Sequence, residues 1–227
     1  MIIAVHQPQY LPWLGYFDKI DRADVFVLLD TVQFKKNEWQ NRNWIKTAGG
    51  PQWLTVPVIY KFPQRINEVV INNRDRWQHR QRQAIISNYK KAPYWSYIFP
   101  FAEEIFTQIW DYLAPMNIFV VKRLAELLGI STPLYVASDL ATFPDDPDER
   151  LISITKHLGG DTYLAGSGGR DYMDLDQYEQ NGIKVLFQEY HHPVYEQLFG
   201  AFVPFMSVLD LLFNHGQDSL RILRGKE

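Results

Sequence analysis

The chain contains no cysteine. Disulfides, thiolate metal ligands and a cysteine nucleophile are excluded, and a reducing compartment such as the cytoplasm is the expected location. No apolar run reaches the roughly 18 to 20 residues needed to cross a bilayer, so no transmembrane segment is expected. No basic stretch precedes the first apolar run. Met1 leads directly into Ile2-Ile3-Ala4-Val5, the pattern of a core strand and not of a signal peptide. Internal repeats and low-complexity tracts are missing. So are the HExxH, GxxxxGKS and GxGxxG spacings. Without HExxH or thiols no metal site is expected, and the adjacent His191 and His192 point different ways on a regular backbone. The sequence assigns no cofactor.

Net charge is also small, −3 over 227 residues. With an isoelectric point near 6.1 and no recognised module, nucleic acid is not an expected partner. The balance conceals an asymmetry. Between Lys35 and Lys91 there are 12 Lys or Arg against three acids, and the remainder of the chain is acidic. Either a basic region faces an anionic ligand, or a solvated face offsets the acids elsewhere.

What is present suits one large α/β domain over residues 1–227. Hydrophobic residues make up 46% and aromatics 15%. Apolar runs at 2–5, 25–29, 134–137, 162–165 and 183–187 read as buried strands. Helical spacing marks 13–22, 75–89, 97–110, 117–128 ending at Gly129, 148–158, 175–180 and 206–213. Asp75 reads as a cap or first-turn acid. Trp44 to Thr47, Gly49-Gly50 and Gln52 to Val58 read as a hairpin, and 66–71 as a further short strand. The alternation predicts an α/β fold: a doubly wound, Rossmann-like parallel sheet of about five strands. A small basic β-rich insertion at about 33–73 follows the second strand, and a helical segment comes next.

Three loops should then share the carboxyl edge of the sheet, where ligands bind in such folds. The first is His6 to Phe17, in which Pro8 and Pro12 forbid regular structure. His6 can donate to a phosphate or act as acid or base near neutral pH, and Gln7, Tyr10 and Trp13 can line a pocket. The second is Asp30 to Arg42. Its Asp30, Gln33, Lys35, Lys36, Asn41 and Arg42 mix amide, acidic and basic groups suited to a phosphorylated or sugar-bearing ligand. The third is Gly166 to Tyr172. There Ser167, Gly168 and Gly169 let backbone N–H groups approach an anion, Arg170 offers a guanidinium fork, and Tyr172 follows. Tyr195 and Gln197 are further pocket candidates. Ser207 lacks a nucleophile-elbow context and reads as an N-cap or packing position for the last helix.

Several long stretches resemble the WbqC-like family of bacterial proteins: HQPQYLPWLGYF at 6–17, LLDTVQFKKNEWQNRNWIK at 28–46, WLTVP at 53–57, KAPYW at 91–95, YLAGSGGRDYMD at 163–174 and FVPFMSVLDLLFNHG at 202–216. The resemblance implies an association with surface polysaccharide or O-antigen biosynthesis. A more distant likeness is to HIGH-type nucleotidylyltransferases and pantothenate synthetase. It rests on the strand leading to His6 and Pro8, on Gln33-Phe34, and on Gly168-Gly169-Arg170-Asp171-Tyr172. Tyr16 stands where the second histidine of the HIGH loop would fall.

The combined expectation is a transferase acting on a nucleotide-linked or phosphorylated substrate that carries an activated sugar or acyl group. His6 and Arg170 are the catalytic candidates, and the other named residues hold the substrate. The alternative is a protein that binds a nucleotide sugar or glycan without changing it. Either partner is a small anionic molecule: a nucleotide, sugar nucleotide or phosphate ester.

Overall fold

A computed structural model describes residues 1–225. Its centre is a sheet of five parallel strands in the spatial order β7-β2-β1-β8-β9. The chain enters through β1 (Ile2–His6) and α1 (Leu14–Asp21) to β2 (Val25–Leu28). Two antiparallel pairs follow, β3 (Arg42–Thr47) with β4 (Gly50–Thr55) and β5 (Val58–Ile59) with β6 (Val70–Ile71). Helices α2 (Trp77–Tyr89), α3 (Trp95–Thr107) and α4 (Leu113–Leu128) lead back to the sheet at β7 (Leu134–Val136). The remainder is α5 (Ala137–Leu140), α6 (Pro147–His157), β8 (Thr162–Ala165), α7 (Leu175–Gln180), β9 (Lys184–Phe187), α8 (Val208–His215) and α9 (Ser219–Leu223).

Alternation along β1 divides the core. Ala4, with Phe26, Leu28 and Leu164, joins the large apolar cluster that includes Phe17, Ile20, Val120 and Leu124. Ile3 and Val5, with Val27, Tyr163 and Ala165, pack against Ile152, Ile154 and Tyr178 on the opposite face. Both faces are covered, which is why the strands read as continuous apolar runs. Ile45, Leu54, Val56, Ile66 and Ile71, between β2 and α2, belong to the large cluster, so this segment packs into the same core as the sheet.

Some element boundaries differ from those the sequence predicts, each for a local reason. β4 ends at Thr55, before Pro57, which cannot donate to a ladder. α3 runs through Pro100, and the carbonyl this leaves without a donor is that of Ser96, an exposed residue. Asp75 lies before α2, accepts the Trp77 N–H with its carbonyl and pairs its carboxylate with Arg80. α6 starts at Pro147, behind Asp146, whose carboxylate accepts from the N–H groups of Asp148 and Glu149 at 3.0 Å each. Ser207 caps α8 as expected, accepting from Leu209 N–H.

The loop after β1 is irregular, and buried amides hold it. Asn43 Nδ2 donates to the carbonyls of Tyr10 (3.3 Å) and Leu11 (2.7 Å). Leu11 adopts φ 44°, a left-handed conformation that a leucine resists. Asn117 Nδ2 donates to the carbonyls of Pro8 (3.1 Å) and Gln40 (2.7 Å). Gly15, in the first turn of α1, gives the Trp13 ring its place, since a Cβ there would lie 2.2 Å from that ring and force it to shift. Asn43→Ala is expected to lower stability by about 1–3 kcal/mol, because two buried carbonyls lose their donor. Urea denaturation measures this, and an unchanged midpoint would show that the loop holds its shape without Asn43.

Candidate functional site

Strand order reverses at β1, with β2 on one side and β8 on the other. The two crossovers leave in opposite directions and open a crevice beyond the carboxyl ends of β1 and β8. A cavity of about 960 Å³ lies there. Its floor is made by Val5, His6, Lys19, Tyr163 and Ala165, and its walls by residues after β2, by Gln64, Arg65 and Glu68, and by Asp145, Arg150 and Tyr172.

The backbone explains the floor. Carbonyls of β1 alternate between neighbours: those of Ile2 and His6 accept from Asp24 and Leu29 on the β2 side, and that of Met1 accepts from Thr162 on the β8 side. Val5 therefore presents its carbonyl toward β8. The β1–β8 pairing register, however, ends at Ala4–Leu164. The ammonium of Lys19, reaching up from α1, donates to the Val5 carbonyl at 2.9 Å in place of a strand N–H.

His6 is half-buried, its ring 5.0 Å from that of Tyr16. Tyr16 donates to the Gln7 carbonyl at 3.0 Å. Desolvation, and secondarily the charge of Lys19, lowers the His6 pKa to about 3. The imidazole is thus neutral at neutral pH and a weak base, and it is not a cationic phosphate clamp. Gln9 Nε2 donates to its Nε2 at 3.2 Å, placing the ring proton on Nδ1. Burial brings the Lys19 amine to about 7. Gln7 is held by Gln40, which donates to its Oε1 at 2.6 Å and accepts from the Lys35 N–H at 2.9 Å.

Of the residues singled out from sequence, His6, Gln7, Gln33, Lys35 and Tyr172 line the cavity. The others lie elsewhere. Tyr10 is buried and donates to Gln81 Oε1 at 2.6 Å. Trp13 stacks on His192 and meets Tyr190 and Phe205 edge-on. Asp30 is buried and accepts from the N–H and hydroxyl of Ser138, joining β2 to the start of α5. Lys36 is exposed outside the cavity. Asn41 donates to the Val56 carbonyl at 3.0 Å, and the Arg42 guanidinium lies 4.1 Å from the Trp53 ring centre.

The Gly-rich loop closes into a 3₁₀ turn over Ser167–Asp171, with Gly169 buried. Gly166 reaches the cavity, but Ser167, Gly168 and Gly169 do not line it. Arg170 lies over the Phe187 ring and pairs with Glu189 at 3.2 Å, away from the cavity lining. Tyr195 and Gln197 both donate to the buried carboxylate of Asp210, which also accepts from Tyr89. They bind the C-terminal segment to the core. His192 does similar work, accepting from Phe205 N–H at Nε2.

Lys19, Arg65, Glu68, Asp145 and Arg150 escaped the sequence reading. The four cations Lys19, Lys35, Arg65 and Arg150 face two carboxylates, Glu68 and Asp145. Only two of the twelve basic residues of the 35–91 segment, Lys35 and Arg65, contribute to this excess. Arg150 is fixed by donating to the carbonyls of Pro144 (2.8 Å) and Asp145 (2.6 Å). Among the described residues, no group of three or more His, Asp or Glu is placed to hold a metal ion. Nor is any helix among them long and apolar enough to cross a membrane.

Fold and cavity together define an α/β protein with a cationic crevice at the switch point of a doubly wound sheet. The chain belongs to the WbqC-like protein family, whose match extends over residues 7–222. It is similar to the uncharacterized protein Rv1507c of Mycobacterium tuberculosis (strain ATCC 25618 / H37Rv), at 35% identity over 237 residues. That alignment takes in 98% of this chain and 97% of the relative. No solved structure matches.

The low His6 pKa has a measurable sign. Between about 6.5 and about 3 the unfolded chain carries a proton on this ring that the folded chain does not, so stability falls with pH across that window. In His6→Gln this contribution is gone. Wild type is expected to lose stability relative to the variant as pH drops from about 6.5 toward about 3, read by urea denaturation across a pH series. A constant difference would mean that His6 titrates alike in both states.

Proposed function

We propose that the protein is a transferase acting on a nucleotide-linked or phosphorylated substrate, moving an activated sugar or acyl group in the assembly of bacterial surface polysaccharide. The observation that carries this reading is the cationic crevice at the β1–β8 switch point. Arg65, Arg150 and Lys35 offer charge-assisted donors to phosphoryl oxygens and to charge that develops as the leaving group departs. His6, neutral and at the strand end, is placed to donate a hydrogen bond to a substrate oxygen without carrying charge. Gln7 and Gln33 supply amide groups for a sugar or base. Family membership supports the polysaccharide context through the resemblance set out above.

Thermal-shift screening against nucleotides, sugar nucleotides and acyl-CoA, followed by mass spectrometry of mixtures with acceptor, tests the reading. Arg65→Ala and Arg150→Ala are each expected to weaken binding of the phosphorylated ligand about 10- to 100-fold. His6→Ala is expected to keep ligand affinity and lose turnover about 100-fold or more. Full turnover by a folded His6→Ala protein would remove His6 from the catalytic machinery. Unaltered ligand recovered with every acceptor would identify a binding protein.

A further inference from the structure

Lys19 is the residue of the cavity whose surroundings leave its charge uncompensated. It is 3% exposed, on a helix buried from Leu14 to Ile20. Its ammonium has three N–H donors and, among the described residues, one hydrogen-bond partner, the Val5 carbonyl at 2.9 Å. None of the ion pairs among the described residues includes it. Asp18, its neighbour on α1, pairs with Arg22 at 2.9 Å and accepts from Gln188 at 2.7 Å.

The groups packed nearest supply no negative charge. His6 is neutral above about pH 3. The Tyr163 ring on β8 lies 5.9 Å from the ammonium, with its phenol pushed upward by burial and held protonated. From the other walls Lys35, Arg65 and Arg150 add positive charge, while Glu68, Asp145 and Tyr172 stand with them. Glu68 is engaged by the Arg65 N–H, and Asp145 lies 3.8 Å from both guanidinium groups.

An ammonium withdrawn from water and given no carboxylate loses its proton more readily, and an anion that reaches it restores the charge. The remaining route to it is the cavity that it lines. We infer that Lys19 contacts the phosphoryl group of the ligand directly and takes up a proton from solvent onto Nζ as the ligand enters, so that the site binds an oxyanion and a proton together. This rests on the phosphorylated substrate proposed above. Ligand-free, the amine titrates near 7. Above that pH it is mostly neutral and must be protonated on binding.

Sulfate is a suitable probe, having the shape of phosphate and no titration between pH 6 and 9. Calorimetry near pH 8 in buffers of different ionisation enthalpy is expected to show uptake of close to one proton per sulfate bound by wild type, shrinking toward pH 6. Sulfate affinity should fall about tenfold per pH unit above the Lys19 titration. Lys19→Met, checked for folding by circular dichroism, is expected to lose both affinity and proton uptake. Lys19→Arg is expected to bind sulfate without uptake, because a guanidinium stays charged.

Sulfate bound by Lys19→Met with wild-type affinity and pH slope would overturn the assignment while leaving a cationic crevice built by Arg65 and Arg150. Failure of wild type to bind sulfate would also overturn it, and the nucleotide screen would judge the transferase reading separately. Binding without proton uptake at pH 8 would show Lys19 to be charged already and would overturn the coupling.

Discussion

The molecule is organised around the point where β1 and β8 stop pairing. A parallel sheet wound outward from a central strand cannot continue its ladder there, because the chain leaves β1 and β8 toward opposite sides. One carbonyl, that of Val5, is left facing the gap. A buried carbonyl needs a donor, and the donor comes from a lysine one helix later. The same gap opens the crevice, and the lysine that fills it adds to the crevice's charge and, after desolvation, to the neutral state of His6. The lysine helps hold the histidine deprotonated, and the histidine supplies no counter-charge to the lysine.

Much of the framework was legible in the sequence, because buried parallel strands are apolar without interruption and helices keep their period. His6 was legible for the same reason: a strand ending in a proline-rich segment has to become a loop at the ligand edge. The loops were harder. Tyr10, Asn41 and Asn43 lie in stretches dense with amides and aromatics, a composition that serves a ligand and an irregular backbone equally well. Which it serves depends on partners such as Gln81, Val56 and Leu11, and these are contacts of the folded chain.

Lys19 was hidden differently. In an eight-residue helix a lysine beside Asp18 reads as a solvated residue, and only the closing of β8 and Tyr163 over it shows otherwise. Arg150 follows Asp145, Asp146, Asp148 and Glu149, a stretch whose charge along the chain is negative. The basic excess between Lys35 and Lys91 was real but mostly spent elsewhere, on exposed pairs such as Arg80 with Asp75 and on Arg42 over Trp53. Charge counted along a chain says little about charge gathered at a point.

The amides that clamp the first loop have a consequence for the order in which the protein acquires its site. Asn43 lies more than thirty positions after the backbone it holds, and Asn117 more than a hundred. A nascent chain emerging with β1 and α1 complete still lacks the groups that give its opening loop a shape. Contacts of such long sequence separation form late and carry a high closure cost. Without α4 in place the Pro8 carbonyl has no Asn117 donor, so the shape of the crevice beside β1 depends on a helix far along the chain.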